Sequence, residues 1–136
     1  RHLAGDAAPR ARFVGRRPDP ERFLAASDAF VFPSAYETFG LVAYEAAACG
    51  VPLVATPVSG VDELLAEAQT GIPITATSDS IARALEALRD PALRAAMGEA
   101  GRRVASRRTW QRTVDGYIEL YDEIARERLD EQSGRS

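Results

Sequence analysis

The chain has no lysine and no asparagine, and only one cysteine and one histidine among its 136 residues. A single cysteine, Cys49, excludes an internal disulfide, and a reducing cytosol is the simplest setting for such a chain. One His and one Cys also make no metal-ligand cluster of the kind zinc requires. No run approaches the roughly 20 apolar residues that a membrane-spanning helix needs. The opening Arg1-His2-Leu3-Ala4-Gly5-Asp6 has no apolar stretch behind its basic residue, so it does not read as a signal peptide. A G-x-G-x-x-G turn is missing, which argues against an epimerase or another Rossmann-type enzyme that binds a dinucleotide. Net charge is −3 without a basic block, which argues against a dedicated nucleic-acid surface. Lysine and asparagine both have A-rich codons, so a GC-rich genome explains their absence more simply than selection for arginine. Apolar residues make up 46% and charged residues 27%, the balance of one modest globular domain.

The order of patterns alternates between strand and helix, which predicts a mostly parallel sheet with helices on its faces. Strands are expected at 11–15, 29–32, 53–56 and 71–74. The apolar run Ala29-Phe30-Val31-Phe32 reads as a strand buried on both faces, and Pro73 marks its own strand as an edge or an end. Helices are expected at 20–26, with Pro20 in the first turn, at 41–49, stopped by Gly50 and Pro52, and at 61–67. From Ser78 onward only helices follow. Ser78 or Asp79 caps the first, Asp90-Pro91 opens the second, and Thr109 caps the last. That last helix carries an apolar stripe from Trp110 to Ile124, which reads as a docking surface. Residues 130–136 read as a polar, disordered tail behind a unit spanning 1–129. His2 reads as a terminal bystander.

The chemistry concentrates between Phe32 and Ala46. There a strand ends, a loop carries Glu37, and a helix opens near Gly40. Ligands of open parallel sheets bind outside the carboxyl ends of the strands. A helix start presents unpaired N–H groups and the positive end of its dipole, and Gly40 adds no side chain to block an anion. Glu45 lies eight residues beyond Glu37, about 12 Å if the whole interval is helical. That span suits a sugar joined through a diphosphate to a ribose. Two carboxylates, which only accept hydrogen bonds, suit the hydroxyls at its two ends. Ala43, Ala46 and Ala47 beside Glu45 imply a packed helix in which a charge is costly unless engaged. The plainer alternatives are a dipole-complementing charge at Glu37 and a solvated face at Glu45.

The run Pro33-Ser34, Glu37, Phe39-Gly40-Leu41, Glu45-Ala46, Gly50-Val51-Pro52 resembles the core motif of the family 4 retaining glycosyltransferases. Every fixed position of P-S-x-x-E-x-F-G-x4-E-A-x3-G-x-P is matched. The likeness extends through Ser59-Gly60, Glu63 and Gly71 to Thr109-Trp110 and Tyr121. It implies the C-terminal, donor-binding half of a GT-B fold, a Rossmann-like sheet with helices on both faces, truncated at its N-terminal end. By that resemblance Glu37 is the catalytic-site residue that meets the donor sugar, and Glu45 holds the ribose. The backbone of Phe39, Gly40 and Leu41 meets sugar and diphosphate. Gly15 and Arg16 lie near the nucleobase, and Ser59 and Gly60 approach the donor. Transfer of a hexose from a UDP- or GDP-sugar would retain configuration and need no metal. Solvation for Arg16 and Arg17, a plain turn at Ser59-Gly60, a loop cap at Ser34 and core packing at Cys49 are the simpler readings of those residues.

The chain departs from the pattern in lacking the front of the donor domain, with its Arg and Lys facing the diphosphate, and in lacking an acceptor domain. The expectation is therefore a donor-binding fragment that is inactive alone. A non-catalytic nucleotide-sugar-binding module, or a split-enzyme subunit working with a separate N-terminal partner, is the alternative. A cytosolic setting is expected, with peripheral attachment to the inner membrane face left open for the longer protein.

Overall fold

The computed structural model describes residues 10–133, leaving aside the side chains of 68 and 129–133. His2 and the rest of 1–9 lie outside the described residues, as do 134–136. Three short strands, β1 (Phe30–Phe32), β2 (Leu53–Ala55) and β3 (Gly71–Pro73), form a parallel sheet in the order β1-β2-β3. Phe30, Val31 and Phe32 pair with Leu53, Val54 and Ala55, which pair in turn with Gly71, Ile72 and Pro73. The helices are α1 (Pro20–Ala25), α2 (Leu41–Ala48), α3 (Val61–Ala68), α4 (Ser78–Ala87), α5 (Pro91–Ala105) and α6 (Trp110–Ser133).

The twofold alternation of a strand sorts the core into two layers. Leu53 and Ala55 of β2 face one side, where Leu24, Ala43, Ala47, Val61, Leu64 and Val104 from α1, α2, α3 and α5 cover them. Val54 points to the other side, against Ile74 and the α4 residues Ala84 and Ile81, with Leu88, Leu93 and Met97. The central strand is buried completely, and burial of this kind contributes about 25 cal/mol per Å2 of apolar surface. The α/β architecture with helices on both faces of a parallel sheet is the one expected.

Four local expectations change. Residues 11–15 form no strand, and Phe13 is 70% exposed. A strand exists only where a neighbour takes its hydrogen bonds, and none of the described strands pairs with this segment. The run ending at Phe32 is not buried on both faces: β1 is an edge strand with Val31 exposed, and only β2 has that burial. Helix α4 is capped one residue early, by Thr77, whose hydroxyl accepts from the Ser80 amide. Helix α6 continues past Asp130 to Ser133, into the stretch read as a tail. The caps at Asp90 and Thr109 stand where expected, bonding the amides of Ala92 and Arg112. Pro73 sits at the end of the edge strand β3.

Candidate functional site

Two loop–helix junctions lie at the carboxyl ends of β1 and β2 and are stitched to each other. The Thr56 amide donates to the Phe32 carbonyl (3.1 Å), and the Ser59 hydroxyl donates to the Thr38 carbonyl (3.3 Å). Tyr44, buried on α2, donates its phenol to the Gly60 carbonyl at 2.9 Å. Both helices begin on a left-handed glycine, Gly40 at φ +67° and Gly60 at φ +78°. The reason is close approach: a β-carbon on Gly40 would strike a Val61 methyl, and one on Gly60 would strike the Phe39 carbonyl. The loops touch through bare backbone, which only glycine permits at these angles.

Neither helix start is capped by a side chain. Helix α2 has no acidic residue in its first turn, whereas α3 carries Asp62 and Glu63 there. Helix α2 is therefore the one of the two whose own first turn supplies no charge against its dipole.

Glu37 lies half-buried in the loop ahead of Gly40, and the Ser34 hydroxyl donates to its Oε1 at 2.8 Å. Glu45 is exposed on α2 and lines a cavity of about 640 Å3 with Phe39, Leu41, Tyr44, Ala48, Arg108, Trp110 and three further residues of the α5–α6 corner. The packed-helix reading of Glu45 is corrected here. Ala43, Ala46 and Ala47 are buried on the core face, while helical period puts Glu45 with Leu41 and Ala48 on the opposite one. The interval from Glu37 to Gly40 is loop, so a helical rise does not measure the separation of the two carboxylates.

Of the residues singled out in sequence, Phe39, Leu41 and Glu45 share the cavity. Glu37 and Gly40 adjoin them in the chain, and Ser59 and Gly60 back the loop from the α3 side. Gly15 and Arg16 sit in the exposed, non-strand segment, and no contact recorded among the described residues joins them to this cluster. Sequence reasoning missed Tyr44 and Arg108. Tyr44 stacks on Phe39 (centroids 5.2 Å apart, planes at 7°), and the Arg108 guanidinium lies 5.4 Å from the Tyr44 ring centre. Arg108 also pairs with Glu63 and Glu67 at 3.6 and 3.4 Å. Burial raises the Tyr44 pKa; Arg108 opposes that shift, while Glu63, Glu67 and Asp62 add to it. Reading Leu41, Glu45 and Ala48 as one helical face would have found the cavity wall on α2. No local signal marks Arg108. Among the described residues there is no cluster of three or more His, Cys, Asp or Glu placed to hold a metal, and no helix is long and apolar enough to cross a membrane.

Known proteins share this fold. The family model described as glycosyl transferases group 1 matches residues 5–104. The chain belongs to that family. It is 40% identical over 100 residues to D-inositol 3-phosphate glycosyltransferase of Salinispora arenicola, a match covering 72% of this chain and 22% of the relative. Among solved structures, sucrose-phosphate synthase from Thermosynechococcus elongatus superposes with a TM-score of 0.80 at 30% identity, over 90% of this chain and 32% of that one. Anabaena Alr3699/HepE, solved with UDP and glucose, gives 0.75 at 28% identity, over 86% and 33%. The chain thus spans about a fifth to a third of the length of these proteins. Their fold places the present sheet in the GT-B architecture.

Proposed function

We propose that this chain is the donor-binding part of a retaining, metal-independent hexosyltransferase of family 4. It takes a nucleotide diphosphate sugar at the α2 mouth. The observation that carries the reading is the contrast in first turns: α2 opens without side-chain cap or acid, flanked by Glu37 on one side and by Glu45, on a cavity wall, on the other. Peptide N–H groups of Gly40 and Leu41 meet the diphosphate, where negative charge accumulates as the glycosidic bond to it breaks. Glu37 accepts from hydroxyls of the sugar and orients its anomeric carbon toward the acceptor. Glu45 accepts from the ribose hydroxyls. Gly15 and Arg16 serve the base, and Ser59 and Gly60 brace the loop from behind. A related structure supports a nucleotide ligand, since the Anabaena protein was solved in complex with UDP and glucose. The acceptor substrate's site and the remaining groups that meet the diphosphate come from the rest of the longer protein, in a cytosolic setting, so the 136-residue chain alone binds donor weakly and transfers nothing.

Calorimetry with UDP, UDP-glucose, GDP and GDP-mannose tests the site. Glu45→Ala should weaken binding of the free nucleotide about tenfold, the loss of hydrogen bonds to a charged group. Glu37→Ala should leave the free nucleotide alone and weaken only the sugar nucleotide. Silence of both substitutions would remove the reading, and sugar transfer by the purified chain would remove the claim that it is inactive alone.

A further inference from the structure

The Glu37 carboxylate is held by a short relay that starts just past the buried strand β2. Thr56, directly after β2 and 8% exposed, has its amide on the Phe32 carbonyl and its hydroxyl 2.5 Å from the Ser34 carbonyl. Ser34 in turn places its own hydroxyl 2.8 Å from Glu37 Oε1. The Tyr36 carbonyl lies within reach of the same hydroxyl at 3.1 Å, but one O–H has one proton, and an ionised acceptor holds it more strongly. Glu37 otherwise stands in a loop with no secondary structure to fix it.

We infer that Ser34 is a positioning residue for Glu37, and that Thr56 holds Ser34 in register with the central strand. The inference rests on the reading of Glu37 as the sugar-contacting carboxylate. By occupying Oε1, the Ser34 hydroxyl fixes the plane of the carboxylate and leaves Oε2 free to accept from the donor sugar. A carboxylate released from this bond samples several rotamers, and ordering it on binding then costs affinity for the sugar alone. The nucleotide does not touch Glu37 and is indifferent to the relay.

The test is the ratio of dissociation constants for the free nucleotide and its sugar conjugate, measured by calorimetry on the 136-residue chain. The pair used, UDP with UDP-glucose or GDP with GDP-mannose, is whichever binds. Ser34→Ala should shift the ratio against the sugar conjugate about fivefold, a typical cost of ordering one freed side chain on binding. Free-nucleotide affinity should stay within about twofold. Ser34→Thr, which keeps the hydroxyl, should restore the ratio. Thr56→Val, which keeps the shape and loses the hydroxyl, should shift it in the same direction by less, and Thr56→Ser should not. Loss of affinity for nucleotide and conjugate alike would show Ser34 to be merely structural and overturn the inference. If Glu37→Ala abolishes the sugar contribution while Ser34→Ala leaves it intact, the relay fails and the site stands. If Glu37→Ala leaves the ratio unchanged, or neither pair binds, the site reading fails and the relay with it.

Discussion

Helices α2 and α3 start almost alike and differ in what they leave unsatisfied. Each follows a parallel strand, each begins on a left-handed glycine, and neither has a side-chain cap. Helix α3 answers its own dipole with Asp62 and Glu63, and its N-cap Gly60 is pressed against the Phe39 carbonyl. Helix α2 has Leu41 and Val42 in its first turn, both exposed, and supplies no negative charge of its own. The same local geometry therefore serves two purposes. In α3 it is a brace that lets two loops meet backbone to backbone, and in α2 we propose that it is an opening for an anion.

The brace breaks most severely. At Gly60 an added β-carbon meets a backbone carbonyl that cannot step aside, and φ is already left-handed. Gly60→Ala should cost about 3–5 kcal/mol by denaturant unfolding, the sum of strain and overpacking. Gly40→Ala meets a Val61 methyl, which can shift, and should cost about 2–3 kcal/mol. Equal losses at the two positions would argue against the distinction between backbone and side-chain obstacles.

Exchanging the chemistry of the mouths gives the next effect. Leu41→Asp gives α2 the acid that α3 possesses, and nucleotide affinity should fall about tenfold or more, because a like charge then occupies the anion's place. Glu63→Gln removes an acid from α3 and should leave nucleotide affinity within about twofold. The opposite pattern would transfer the anion site to α3.

A smaller effect is expected at the contact that ties the two junctions together. Tyr44→Phe deletes the phenol that the Gly60 carbonyl accepts from, and should cost about 1–2 kcal/mol of stability. The smallest effect is alkaline. Burial raises the Tyr44 pKa in the folded chain above the ordinary 10.0, so the native state keeps its proton after the unfolded state has lost it. The Tyr44 contribution is complete below about pH 10 and is lost as pH rises through the folded value. Urea titrations above that pH should show a steeper decline for the wild-type chain than for Tyr44→Phe.

The parallel sheet and its helices were legible because apolar runs, Pro and Gly mark element boundaries locally. Asp90-Pro91 and Gly50 are of this kind. The strand expected at 11–15 was not, because its pattern is local while its existence depends on a pairing partner elsewhere. Thr77 displaced Ser78 as a cap because the four consecutive polar residues Thr77 to Ser80 offer similar side-chain chemistry, and only backbone geometry chooses among them. In the candidate site, the placement of Glu37, Gly40 and Glu45 around the start of α2 was readable from spacing and resemblance. The column of Phe39, Tyr44 and Arg108 was not, since Phe39 stands in the loop ahead of α2, outside its helical period, and Arg108 lies far along the chain. The relay from Thr56 through Ser34 to Glu37 was hidden because half of it joins two loops, those after β1 and β2, that lie far apart in the chain.

The most direct test of the account is a 15N amide titration of the chain with UDP-glucose and with GDP-mannose. The α2 mouth predicts the largest shifts at the amides of Gly40, Leu41 and Val42, with only minor movement at Val61 and Asp62. Shifts centred on α3, or on the arginines between Arg107 and Arg112 with α2 unmoved, would contradict it.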